Sequence, residues 1–209
     1  AITIATSRGI FMPHFASDVP PPAFPLTLCI KTGNIYYQIW LKVEIIITGR
    51  DLMIEMIKTI ILDFQEAPLE TGVPRRMRIE SVRGKAAVCI GVRRSGKSTY
   101  MYQVIEQLLK DGVSPQNILF LNFFDDRLHS LRRDNLGLIA EAYFSLYPEK
   151  KNTETVYCFF DEIQAISGWE PFIDRLMRTE KCEVYLTGSS AAMLSKEIAT
   201  QMRGRALSW

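Results

Sequence analysis

The chain is poor in the residues that build metal or disulfide frameworks. Its four cysteines, Cys29, Cys89, Cys158 and Cys182, stand far apart and form no C-x-x-C pair. Neither a zinc knuckle nor a disulfide scaffold is indicated. Two histidines, His14 and His129, cannot make a His-rich metal site. An excess of one charge is also missing: 25 basic side chains face 23 acidic ones, for a net charge of +2. Nucleic-acid binding therefore gains no support from a uniform field. No segment reaches the roughly 18 uninterrupted apolar residues of a membrane-spanning helix; the best candidate, 35–47, is broken by Lys42 and Glu44. There is no basic start followed by an apolar core and a small-residue cleavage site, so the default expectation is a reducing cytoplasm. With 47% hydrophobic and 23% charged residues in 209, wholesale disorder and a collagen-like fibre are excluded.

What is present falls into two parts. Residues 1–55 carry 8 of the 48 charged side chains, a much thinner share than 56–209. Prolines 20, 21, 22 and 25 forbid regular helix or central strand there and favour an extended polyproline segment. The β-branched and aromatic stretch 36–47 suits a strand or hairpin arm. Met53 and Met56 mark the shift, and Ile54, Ile57, Ile60, Ile61 and Phe64 recur at helical spacing. The expected organisation is an irregular Pro-containing N-terminal extension, 1–55, and a working domain, 56–209. Upstream sequence translated from a mis-set start and a genuine extension both remain open for the first part.

In the second part, apolar strands alternate with helices. Strands are expected at 85–90, 118–124, 156–160 and 183–187, and helices at 97–110, 134–147 and 169–178. That alternation argues an α/β fold, a mostly parallel sheet covered on both faces.

Between the first strand and its helix stands Gly91-Val-Arg-Arg-Ser95-Gly96-Lys97-Ser98, which fits G-x-x-x-x-G-K-[ST]. The spacing has a physical reason. Gly91 and Gly96 let the chain turn tightly, so that backbone N–H groups, those of Arg94 and Ser95 among them, line a phosphate cradle. The following helix adds its positive N-terminal end. Lys97 suits the β- and γ-phosphates, Ser98 is a natural Mg²⁺ ligand, and Thr99 is placed to touch the α-phosphate. Arg93 and Arg94 either add positive potential or are solvated loop residues.

The strand 156–160 ends in Asp161 and Glu162, 64 residues after Lys97. Asp161 is expected to hold the Mg²⁺ shell opposite Ser98, and Glu162 to polarise an attacking water. Such a pair favours hydrolysis over transfer to a small acceptor. No N-K-x-D sequence speaks for guanine, so ATP is the expected nucleotide. At the end of the strand 183–187, Thr187 or Ser189 either reaches the γ-phosphate or the water or belongs to an ordinary polar turn capping the next helix. Arg205, in Arg203-Gly204-Arg205, either stabilises developing charge, in cis or from a neighbouring subunit, or belongs to a solvated basic turn. Asp125 and Asp126 follow the second strand; Asp126 either orders the metal's water shell or caps a loop. His129 reads as a surface residue and Trp169 as packing.

GVRRSGKST, ILFLNFFDDRL, VYCFFDEIQAISGWEPFIDRL, VYLTGSSAAML and RGRAL follow one another in an order that resembles the prokaryotic AAA-domain ATP-binding proteins. The resemblance covers about 56–209. It implies an AAA-like P-loop NTPase core, a three-layer α/β/α sandwich, followed in the family by a C-terminal domain of poorly defined role. It carries nucleotide binding onto residues 91–99, magnesium and water activation onto Asp161 and Glu162, and a sensor-like role onto Ser189. Arg205 matches the family's Gly-Arg position. The family's further ATPase elements and C-terminal domain are not in this sequence, and the first 55 residues lie outside the family pattern, so a gene fragment is expected. Any protein or DNA partner would be met through that C-terminal region, and an oligomer is possible. The leading expectation is Mg²⁺-dependent ATP hydrolysis. The alternative is a nucleotide-gated interaction module with little turnover; a small-molecule or nucleoside kinase stands third.

Overall fold

The computed structural model describes residues 28–32, 35–39, 49–75, 84–131, 133–189 and 206–208. The chain divides into two units, Ala1–Ile46 and Ile47–Trp209. In the first, β1 (Leu28–Thr32) pairs antiparallel with β2 (Ile35–Ile39), Leu28 opposite Ile39 and Thr32 opposite Ile35. The proline run and residues 40–47 lie outside the described residues.

The second unit opens with α1 (Gly49–Glu66). Its apolar stripe, Met53, Ile57, Ile60 and Ile61, is buried at three- and four-residue intervals. The helix starts ahead of the change in composition because its first turn, Gly49-Arg50-Asp51, is polar and carries no hydrophobic period. There follow β3 (Ala86–Ile90), α2 (Lys97–Lys110), β4 (Ile118–Asn122), α3 (Gly137–Leu146), β5 (Val156–Asp161), α4 (Glu170–Thr179), β6 (Cys182–Gly188) and β7 (Ala206–Ser208). The strand order is β4-β5-β6-β3-β7, and every pairing is parallel. The short β7 was not anticipated from the sequence; three residues are too few to show a period.

Strand parity sorts the core into two layers. Val88, Leu119, Leu121, Cys158, Phe160, Val184 and Leu186 face one side, where they pack with α1, α3 and α4. Ala87, Phe120, Phe159 and Tyr185, one residue out of phase, face α2 through Met101 and Ile105. Both faces being covered, the strands read as continuous apolar runs rather than alternating ones. Each fully buried Leu, Ile or Phe contributes about 1.5–3 kcal/mol. Trp169, 1% exposed, belongs to the first layer, which fits its reading as packing. The result is the three-layer α/β/α sandwich expected of a P-loop fold. Among the described residues, no helix is long and apolar enough to cross a membrane.

A parallel sheet sends all its carboxyl ends to one edge. Here β3 delivers the loop 91–96, β5 delivers Asp161 and Glu162, and β6, lying between them, delivers Thr187 and Ser189. The order β5-β6-β3 is what brings these groups together.

Candidate active site

The loop between β3 and α2 turns through two left-handed residues, Arg94 (φ 60°) and Gly96 (φ 78°). Gly96 is favoured by its left-handed backbone; a Cβ there would also stand 2.5 Å from Arg75 Nη2, the movable end of that side chain. A Cβ on Gly91 would meet Ser95 Oγ at 2.9 Å. No side chain caps α2 at Gly96. The first N–H groups of α2 have no intrahelical acceptor and, with the helix dipole, form a positive pole facing the loop.

Lys97 is 5% exposed. Its Nζ donates to the carbonyls of Gly91 (3.1 Å) and Val92 (3.0 Å) and lies 3.7 Å from Glu162 Oε1. The cation is thus folded back along the loop, with a carboxylate within reach. Ser98 Oγ donates to Asp161 Oδ2 at 2.7 Å. Asp161 is fully buried, and its other oxygen accepts from the Thr187 hydroxyl. That hydroxyl in turn accepts the backbone N–H of Glu162 at 3.0 Å. The bond pins Glu162 in a left-handed conformation (φ 54°, ψ 43°) that a residue with a Cβ adopts at a cost of about 1 kcal/mol or more. Thr187 is fully buried and committed to these partners, so Ser189 is the hydroxyl of β6's end with more access to solvent.

The expected residues therefore gather at one edge: Gly91, Ser95, Gly96, Lys97 and Ser98 from the loop and helix, Asp161 and Glu162 from β5, Ser189 after β6. Arg94 belongs to the loop, exposed. Thr99 is half-buried, near Gly72, whose added Cβ would meet Thr99 Cγ2 at 3.2 Å. Arg205 lies outside the described residues. Asp126 is exposed, and the cap after β4 is made by Asp125, which accepts from the N–H and guanidinium of Arg127. That bond to Arg127 holds the Asp125 carboxyl below its usual range. His129 is exposed.

Two participants escaped the sequence reading. Gln164 Nε2 donates to Glu162 Oε2 and to Ser189 Oγ (3.0 Å). Its only sequence signal is a polar residue two places after the acid pair. Arg75 lays its guanidinium on the loop, donating to the Ser95 carbonyl. Gln103 on α2 holds that segment by accepting the Arg75 N–H (3.2 Å) and donating to the Thr71 and Val73 carbonyls (2.6 and 2.8 Å). Arg75 precedes Lys97 by 22 residues, and nothing local marks it. Cys89 at the end of β3 has its thiol pushed up by burial, partly offset by the charges of Lys97 and Arg75, so it is no ready nucleophile.

The donor set fits a small hard cation. A hydroxyl and a carboxylate oxygen converge, and both are oxygen ligands of the kind Mg²⁺ takes. Among the described residues no cluster of three or more His, Cys, Asp and Glu could hold a metal by itself. The remaining ligands would be phosphate oxygens and water, as is usual for Mg²⁺ on a nucleotide.

A glycine-turned loop feeding a helix, with Lys97 and Ser98 facing an acid pair at the end of a parallel strand two places away in the sheet, defines the P-loop class of nucleotide-binding domains. Residues 83–209 match the family described as AAA domain, and the chain belongs to that family. It is 36% identical over 153 residues to the uncharacterized protein MJ1544 of Methanocaldococcus jannaschii, covering 73% of this chain and 32% of that protein. An uncharacterized protein of Haemophilus influenzae is 37% identical over 120 residues, 56% of this chain and 28% of that protein. The chain thus spans about a third of the length of these relatives. The solved structure of C. elegans PCH-2 is 12% identical, covers 76% of this chain and 42% of that one, and has a TM-score of 0.40, a likeness too distant to bear on function.

Proposed function

We propose that this chain binds ATP with Mg²⁺ and hydrolyses it. The observation that carries the reading is the meeting of Lys97, Ser98, Asp161 and Glu162 within hydrogen-bond or ion-pair distance at one sheet edge. The loop N–H groups and the α2 N-terminus bind the phosphates. Lys97 leaves the Gly91 and Val92 carbonyls for the β- and γ-phosphate oxygens. Ser98 and Asp161 hold Mg²⁺, which when bound supplies neutralising charge to those oxygens. Glu162, released from Lys97, takes a proton from water. The water oxygen bonds to the γ-phosphorus, the β–γ bridging P–O bond breaks, and ADP leaves with the bond's electron pair. Ser189 is placed to sense the γ-phosphate, and Arg205 to meet developing charge. Arg94 and Thr99 contribute to phosphate binding.

This activity is proposed to work in the cytoplasm, and to drive an effector or partner, protein or DNA, met through regions of the relatives that this chain does not span. Lys97→Ala is expected to abolish ATP binding. Glu162→Gln is expected to keep ATP bound and lower hydrolysis by about 10²-fold or more, the contribution of a general base. Equal ATP affinity in wild type and Lys97→Ala overturns the proposal. ATP held for hours without phosphate release in a single-turnover experiment favours the nucleotide-gated module instead.

A further inference from the structure

Gln164 sits in the short 3-10 turn Ile163–Ala165, immediately after the left-handed bend at Glu162. Ile163, fully buried, anchors that turn in the core. With its neighbour fixed, the Gln164 side chain turns back along the sheet edge. Both hydrogens of its amide nitrogen are spent: one on Glu162 Oε2, the other on Ser189 Oγ. The amide cannot be reversed, because its oxygen would then face a carboxylate oxygen. Its own Oε1 is buried and has no partner among the described residues. An unpaired buried acceptor lowers stability, and a leucine of similar shape would remove it. What Gln164 brings to the site is its two donors, one held by a carboxylate and one by a hydroxyl.

The two oxygens of Glu162 are held differently. Oε1 faces Lys97 at 3.7 Å; Oε2 is on Gln164. When Lys97 turns to phosphate, Oε1 is freed and Oε2 is not. We infer that Gln164 is a positioning residue: it fixes the Glu162 carboxylate through Oε2 so that Oε1 is the proton acceptor, and it ties that carboxylate to Ser189, just past the end of the neighbouring strand. This rests on the ATPase reading above. No bond is made or broken at Gln164; the water's proton goes to Glu162 Oε1.

The test is Gln164→Leu, read in steady-state ATP hydrolysis, ATP binding and urea unfolding, alone and combined with Glu162→Gln. The expected result is a kcat lower by about 10- to 100-fold, the usual penalty for a misplaced catalytic group. KM and ATP affinity stay within about twofold, because the loop N–H groups, Lys97, Ser98 and Asp161 are untouched and Ser189 loses only one hydrogen-bond donor. The unfolding midpoint falls only slightly, since the two part-buried hydrogen bonds that are lost are offset by removal of the buried Oε1. In the Glu162→Gln background, Gln164→Leu causes no further loss, since the group it positions is gone. An unchanged kcat in Gln164→Leu, with wild type active, overturns the positioning role and leaves the ATPase reading standing. So does a parallel loss of affinity and unfolding midpoint, which marks a structural role. A wild type that binds ATP and releases no phosphate overturns the ATPase reading and this inference with it.

Discussion

Thr187→Val tests whether the hydroxyl between Asp161 and Glu162 is the fastener of the site. Valine has threonine's shape, so no cavity opens; the change removes one donor and one acceptor. The Asp161 carboxylate, fully buried, loses one of its two hydrogen bonds among the described residues and keeps that of Ser98 Oγ at 2.7 Å. A hydrogen bond to a charged group is worth about 1.5–3 kcal/mol. The Glu162 N–H, which donates to the same hydroxyl at 3.0 Å, is orphaned at a further cost of about 1–3 kcal/mol. Against this, Glu162 can abandon its left-handed conformation and recover about 1–2 kcal/mol of strain. The net loss is about 0.5–5 kcal/mol, centred near 3. Relaxation has a functional consequence, because the bend at residue 162 is what aims the carboxylate at the loop. Thr187→Val is therefore expected to unfold at lower urea with an unchanged m-value, and to hydrolyse ATP about 10²-fold more slowly. Thr187→Ser keeps the hydroxyl, loses about 1 kcal/mol with the buried methyl, and retains most activity. A valine variant less than about 0.5 kcal/mol destabilised and fully active would refute the reasoning.

Gly96→Ala places a Cβ at φ 78° and 2.5 Å from Arg75 Nη2. The left-handed penalty of about 1–2 kcal/mol predicts ATP affinity lower by about tenfold. Adding Arg75→Ala relieves the clash but not the backbone, so calorimetric titration of the double variant should recover only part; undiminished affinity in Gly96→Ala counts against the loop geometry. At alkaline pH, Tyr143 is the group to watch. Burial pushes its hydroxyl far above the ordinary value of 10.0, and that hydroxyl donates to the Gln116 carbonyl at 2.7 Å. The folded form holds the proton more tightly than the unfolded one, so this contribution is complete below about pH 10 and is lost as pH rises beyond it. Tyr143→Phe should lose about 1 kcal/mol at pH 7 and decline less steeply above pH 10, measured by urea midpoints across pH. Tyr102, Tyr147 and Tyr157, also raised by burial, preserve part of the decline. An identical alkaline slope in the variant rules Tyr143 out as its source.

The parts of this molecule that one sequence reveals are those where chemistry dictates spacing within a single segment. Gly91, Gly96, Lys97 and Ser98 are legible because a phosphate cradle needs all of them in eight consecutive residues, and the pattern has few other uses. Asp161 and Glu162 are legible because an apolar strand that stops at two acids has a reason to stop there. The strands were visible as runs and not as alternations because both faces are covered: Phe159 looks to α2 while Cys158 and Phe160 look to α1, α3 and α4. What was hidden is whatever depends on strand order. Thr187 holds Asp161 and the Glu162 backbone only because β6 lies beside β5, and Gln164 bridges to Ser189 only for the same reason. Arg75 reaches the loop only because Gln103 on α2 clasps the segment 71–75. None of these pairs has a spacing of its own, since strand order and not chain length brings them together. The division is itself informative. The residues with motif spacing are those that would meet nucleotide and metal, whose size is constant. The residues without it act on other side chains: Thr187 on Asp161 and the Glu162 backbone, Gln164 on Glu162 and Ser189.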